Sequence, residues 1–286
     1  MGGVAGSLFM LWVRSGFSSA TVASALTFFP PSPTYGLVKQ ADGATAVDHY
    51  IDANVPFSST ASLAVVRTKR GQEIPCFVFR HPEATFTMIY SHGNATDCGG
   101  MFLRYLSLSR ELKVNVVGYD YTGYGGASGS PSEADTYADI TAIYDHVVAH
   151  ICTSSDPAKE IILYGQSVGS GPSIYLATER PVRGLIVHSG LLSGMRVLTS
   201  NRCLACLDIY PNVDRIQNVT CRTLIIHGVD DMEIPIAHGH GLHQALPVAS
   251  QAEPYWVPDR GHNDIGETAT CRPGYVQHLA AFLKTL

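Results

Sequence analysis

Ile161-Ile162-Leu163-Tyr164-Gly165-Gln166-Ser167-Val168-Gly169 decides how this chain folds. An apolar run leads straight into Gly-x-Ser-x-Gly, and a helix-compatible stretch continues to Glu179. Strand, sharp turn and helix in that order lift a serine hydroxyl above the end of a sheet. The glycines flanking Ser167 belong at points of close approach, where a side chain would collide with the neighbouring strand and helix. Gly-x-Ser-x-Gly alone is common, and its plain reading is a turn. The strand before it and the helix after it make Ser167 the candidate nucleophile.

A serine hydroxyl is a weak nucleophile and requires a base, an orienting acid and donors for the oxyanion. Doubly wound α/β enzymes with this turn carry them in the chain order Ser, Asp or Glu, His. Thr223-Leu224-Ile225-Ile226-His227-Gly228 is a second buried-strand pattern, followed by the loop Val229-Asp230-Asp231-Met232-Glu233-Ile234-Pro235. A carboxylate there lies at the carboxyl end of a parallel strand, on the same sheet edge as Ser167. The spacing His-Gly-x-x-Asp-x-x-Ile-Pro favours Asp231 as the acid, with Asp230 a solvated or hydrogen-bonding neighbour.

The last strand reads as Glu253-Pro254-Tyr255-Trp256-Val257, and His262 sits in the loop behind it, after Gly261. Among 12 histidines, this one alone occupies the place that the order Ser, Asp, His requires. His92 and His227 end strands ahead of glycines and read as structural. His238, His240 and His243 lie on a polar helix start without carboxylate or cysteine at ligand spacing, so a solvated face is expected rather than a metal site. The oxyanion donors are expected from the turn after Thr87-Met88-Ile89-Tyr90-Ser91 and from the residue following the nucleophile. They are assigned to the N–H groups of Asn94 and Val168, with Ala95 as the one-residue alternative.

Further motifs narrow the comparison. Ser91-His92-Gly93-Asn94-Ala95, Tyr119-Asp120-Tyr121-x-Gly123-Tyr124-Gly125, Ser193-Gly194-Met195-Arg196-Val197 and Gly261-His262-Asn263-Asp264-Ile265 occur together in this chain. In these segments it resembles the alpha/beta-hydrolase domain-containing protein 17 family of membrane-attached protein depalmitoylases. The similarity runs from Phe28-Phe29-Pro30-Pro31 to the C-terminus. The resemblance implies an alpha/beta-hydrolase fold and a serine hydrolase that removes palmitate from S-palmitoylated proteins. It also implies a triad on Ser167, Asp231 and His262 and no cofactor. Two other activities would use the same residues or the same fold. One is a lipid or general carboxylesterase resembling a monoacylglycerol lipase; the other is a non-catalytic binding protein, disfavoured because every triad position is filled.

One departure stands out. Members of that family carry N-terminal cysteines that are themselves palmitoylated, whereas the first cysteine here is Cys76. Leu8 to Phe29 is apolar apart from Arg14 and several Ser and Thr. A spanning helix needs about 20 apolar residues, which Arg14 and the hydroxyls interrupt. A secretory signal would want a basic start and a small-x-small site. The myristoylation pattern wants Ser or Thr at position six, where the chain has Gly6. An interfacial anchor fits the mixed character, so residues 1–35 are expected to hold an intracellular enzyme on the cytoplasmic face of a membrane.

Composition agrees. A chain of 286 residues, 45% of them hydrophobic, supports one sizeable α/β domain over residues 36–286. A net charge of −5 without a basic stripe excludes nucleic acid as an expected partner. Arg67, Lys69 and Arg70 flank Gly71 and read as a hairpin turn. Seven cysteines at scattered spacings read as reduced thiols, and Cys203-x-x-Cys206 as two apolar residues on one helix face. Alternating strand and helix patterns give an α/β fold with a mostly parallel central sheet and helices on both faces. A small cap insertion is expected at about 189–219, holding Leu191, Leu192, Met195, Val197, Leu198 and Leu204.

Overall fold

The computed structural model describes residues 18–50, 56–198 and 208–286. Residues 8–17 of the apolar N-terminal stretch, together with Leu204 and the Cys203-x-x-Cys206 pair, therefore lie outside the described residues. In chain order, helix α1 (Ser19–Thr27) is followed by a hairpin, β1 (Tyr35–Lys39) and β2 (Thr45–Tyr50). A second hairpin, β3 (Ser62–Arg67) and β4 (Glu73–Phe79), enters the main sheet. Then come β5 (Thr87–Ser91), α2 (Phe102–Leu112), β6 (Asn115–Tyr119), α3 (Glu133–His150) and β7 (Ile161–Gln166). The chain continues through α4 (Ser170–Glu179), β8 (Gly184–His188), β9 (Arg222–Gly228), α5 (Ala237–Ala245), β10 (Tyr255–Val257) and α6 (Arg272–Lys284).

The main sheet has the order β10-β9-β8-β7-β5-β6-β4-β3, parallel except where β4 pairs antiparallel with β3 and β6. The reversal between β7 and β5 places the carboxyl end of β7 beside that of β5, so Ser167 and the turn after Ser91 meet at one edge. Both faces of the sheet are covered. In β7, Ile161 and Leu163 face the core shared with α3, α4 and α5, and Ile162 and Tyr164 face the core shared with α2 and α6. Strands buried on both sides need apolar residues at successive positions, which is why β7 and β9 read as unbroken runs rather than alternating ones. The basic cluster lies where it was expected: Gly71, at φ +88°, closes the β3–β4 turn.

The hairpin of β1 and β2 is an addition to what the sequence reading offered. Its turn carries the Asp42-Gly43 signal, with Gly43 at φ +85° and Asp42 Oδ1 accepting the Ala44 N–H at 2.9 Å. A register shift between Gly36 and Leu37 and a half-exposed surface blur the alternation that would have revealed the strands. Helix α1 starts at Ser18, whose hydroxyl accepts the Thr21 N–H. Val22, Ala23 and Phe28 are buried against the domain, and Phe28 meets the Tyr210 ring edge-on at 6.1 Å.

Asp139 on α3 is fully buried and accepts the N–H and hydroxyl of Thr122 at 2.7 and 2.8 Å. Burial pushes its carboxyl up to about 7, against the lowering effect of those two bonds. A pKa raised on folding means that the folded state holds the proton more tightly. The associated stability is full below the unfolded value of about 3.9 and is lost as pH rises through 7. Asp139→Asn removes the titration, so its melting temperature relative to wild type should climb between pH 4 and 7 and level off above, by several degrees in all. A difference that does not change with pH, in thermal melts across that range, would contradict the raised pKa.

Candidate active site

Ser167 directly follows β7 with φ +54°, in the left-handed region that is strained for a side chain. The flanking glycines make this turn sterically feasible. A Cβ on Gly169 would stand 2.2 Å from Ser91 O, and one on Gly165 would stand 2.6 Å from Gly169 O. The first contact is with strand β5 and the second with the start of the following helix, as the motif anticipated. Ser167 is buried at the sheet edge, with its hydroxyl 2.9 Å from His262 Nε2.

His262 comes from the loop after β10, and its Nδ1 lies 2.7 Å from Asp231 Oδ2. An ionised carboxylate there requires Nδ1 to carry the proton, which leaves Nε2 free to accept from the serine. Asp231 is fixed by its own loop: Oδ1 accepts the N–H groups of Glu233 and Ile234 at 2.9 and 2.8 Å. Burial alone would raise the Asp231 pKa. Hydrogen bonds from His227, His262 and the Ile234 N–H outweigh that effect and hold the carboxyl well below the usual range. Asp230, the neighbour left open by the sequence, is exposed and gives its N–H to Arg260 O at 2.9 Å. Geometry thus brings Asp231, and not Asp230, onto the imidazole.

Asn94 and Val168 both line the cleft beside Ser167. The Asn94 turn is close to the nucleophile, since a Cβ on Gly93 would fall 3.8 Å from Ser167 Cβ. The Ala95 N–H, the alternative donor, is already engaged with Asn94 Oδ1 at 3.1 Å. The Asn94 side chain also accepts from the Phe29 N–H and the Tyr124 hydroxyl at 3.0 and 2.6 Å, and it donates to Thr27 O at 2.6 Å. These bonds tie the end of α1 to the turn. The resulting cleft has a volume of about 210 Å³, and its apolar lining comes from Ala23, Leu26 and Phe29 at the N-terminal helix and from Leu191, Met195 and Val197 after β8.

Two histidines differ from the sequence reading. His227, read as merely structural, donates from Nε2 to Ile234 O at 2.8 Å and stands 3.3 Å from Asp231 Oδ2, so it braces the acid loop. His238, expected on a solvated face, is buried, and its Nδ1 accepts the Leu192 N–H at 3.0 Å. The i, i+4 distance from His227 to Asp231 hinted at the first role. Nothing local marks the second, because Leu192 reaches His238 only through the tertiary fold. Among the described residues, no group of three or more His, Cys, Asp or Glu is placed to hold a metal ion.

The comparisons with known proteins agree on the kind of molecule this is. A family model described as serine aminopeptidase, S33, matches residues 82–209. The Pyrococcus furiosus esterase Pf2001 superposes with a TM-score of 0.66 at 14% identity, covering 90% of this chain and 99% of its own. Est1E from Butyrivibrio proteoclasticus, solved with ferulic acid bound, gives 0.63 at 15% identity over 78% of this chain and 98% of its own. At such low identities these two likenesses establish the fold alone. Sequence relatives say more. Human alpha/beta hydrolase domain-containing protein 17B is 39% identical over 251 residues, 85% of each chain. The Caenorhabditis elegans protein aho-3 is 36% identical over 271 residues, 92% of this chain and 78% of that one. With this identity over most of both chains, and with the mostly parallel sheet and its serine turn, the protein belongs to the alpha/beta hydrolase domain-containing protein 17 family, serine hydrolases of the alpha/beta-hydrolase fold.

Proposed function

We propose that this enzyme hydrolyses long-chain acyl thioesters, removing palmitate from S-palmitoylated proteins by way of an acyl-enzyme. The observation that carries the reading is the hydrogen-bonded line Ser167–His262–Asp231 opening into a cleft lined by apolar side chains. An acyl chain lies along those side chains with its carbonyl at Ser167. His262 Nε2 takes the hydroxyl proton as Ser167 Oγ attacks the carbonyl carbon, and Asp231 stabilises the imidazolium that forms. The N–H groups of Asn94 and Val168 receive the developing oxyanion. Collapse breaks the carbon–sulfur bond, and the thiol departs with the proton from His262. The same nitrogen then draws a proton from water, whose oxygen attacks the acyl-enzyme, and returns it to Ser167 Oγ as the bond to the acyl carbon breaks and the fatty acid is freed.

A thiolate leaves more readily than an alkoxide, so the triad chemistry serves both thioesters and oxygen esters. The choice of thioester rests on the family resemblance. The apolar N-terminal segment fits attachment to the cytoplasmic face of a membrane, where acylated proteins reside. No helix of the described residues is long and apolar enough to cross a membrane.

A fluorophosphonate probe should label Ser167, and a palmitoyl thioester should be cleaved in preference to a matched palmitoyl oxygen ester or monoacylglycerol. Labelling with ester preference would keep the triad and move the function to a lipase or carboxylesterase. A folded protein that neither labels nor cleaves would be a binding protein on the same fold.

A further inference from the structure

We propose that Glu233 forms a subsite for a positively charged group on the leaving-group side of the scissile bond, so that the enzyme prefers acyl chains carried by basic peptide segments. This rests on the hydrolase reading above and specifies its substrate. Glu233 lies two residues beyond Asp231 on the acid loop, and its N–H is one of the two that hold the Asp231 carboxylate. That bond fixes where its side chain starts. The carboxylate then reaches across to the His262 loop, where Oε1 accepts from Asn263 Nδ2 at 2.9 Å. Oε2 comes to rest 3.9 Å from His262 Nε2.

Nε2 is the nitrogen that takes the Ser167 proton and hands it to the departing atom. A carboxylate beside it is within reach of the departing group, and we place the acyl chain against the apolar residues of the same cleft, Ala23, Leu26, Met195 and Val197. At 3.9 Å the contact is too long for a hydrogen bond, and Asp231 already occupies Nδ1, so Glu233 is no member of the proton relay. Its side chain is 63% exposed and lines the cleft. Among the described residues, no Arg or Lys pairs with it; the cation on the adjoining loop, Arg260, stands 3.7 Å from Asp264. Asp230, on the same loop, is exposed and carries the same sign. Among the described residues that line the cleft, Glu233 is the one carboxylate and no Lys or Arg joins it, so a cationic group of the substrate supplies the missing counter-charge.

A solvent-exposed pair at about 4 Å changes an equilibrium by roughly fivefold, and salt screens it. The test uses the full chain and three palmitoyl-thioester peptides of equal length whose acylated cysteine is flanked by lysines, by glutamines or by glutamates. Wild type should show the order Lys, Gln, Glu in kcat/KM, by roughly fivefold at each step at low salt, and should lose the order at high salt. Glu233→Gln should flatten the series and Glu233→Lys should invert it. A uniform fall for all three peptides in Glu233→Gln, with the order kept, would make Glu233 a support for His262 and overturn the subsite. If the probe labels Ser167 but no thioester is cleaved, the thioesterase reading fails. The same comparison with long-chain esters of cationic and neutral alcohols then decides the subsite independently. A protein that cleaves none of these substrates removes both readings.

Discussion

Ser167→Ala should lower kcat by about a millionfold and leave the melting temperature close to that of wild type. The loss is this large because nucleophile, base and acid act as one unit, and removing the serine disables the other two. Rate enhancement that remains would come from the oxyanion donors and from substrate binding, neither of which needs the hydroxyl. The fold should survive for a local reason. Among the described residues Ser167 Oγ bonds only to His262 Nε2, and alanine meets the same backbone strain at φ +54° that serine does. Turnover of any acyl ester and fluorophosphonate labelling followed by peptide mapping check this together. Activity near wild type in a folded Ser167→Ala protein would remove the basis of the proposed mechanism.

Much of this site was legible because its signals are local. Gly165, Ser167 and Gly169 announce a turn whose steric demands only glycine meets, and Ser167 is tied to a strand whose apolar run is dictated by burial on both faces. His262 could be picked out by chain order alone, since the parallel sheet brings the ends of β7, β9 and β10 to one edge in that order. What the sequence did not yield is carried by contacts between distant segments. Asn94 meets Thr27 and Phe29 across more than sixty residues, and no spacing rule relates those positions. His238 is buried through Leu192, on a different element. The apolar character of the N-terminal segment was plain, yet hydrophobicity does not distinguish a face turned to lipid from one packed on protein. Val22, Ala23 and Phe28 are buried against the hydrolase domain, while Phe29 stays 56% exposed at the cleft.

Asp231→Asn should lower kcat by about ten-thousandfold, whereas Asp230→Asn should leave it within a small factor of wild type. The contrast follows from what each oxygen of Asp231 does. With its amide oxygen kept in the Oδ1 position, asparagine still accepts from the N–H groups of Glu233 and Ile234, so the acid loop stays in place. Its amide nitrogen then replaces Oδ2, 2.7 Å from His262 Nδ1 and 3.3 Å from His227 Nε2. His227 Nε2 already carries a hydrogen, given to Ile234 O, so two donors face each other on that side. On the other side, a donor opposite Nδ1 forces the imidazole proton onto Nε2, and His262 presents a hydrogen to Ser167 where it needs a lone pair. The base is present, correctly placed and in the wrong tautomer. Burial with an unmatched donor pair also predicts a modest loss of stability, which Asp230→Asn, on an exposed side chain, should not share. Parallel measurements of kcat and melting temperature for the two variants separate these effects. If Asp230→Asn proved the damaging change, the carboxylate that orients His262 would have to be the neighbouring one, against the 2.7 Å bond seen here.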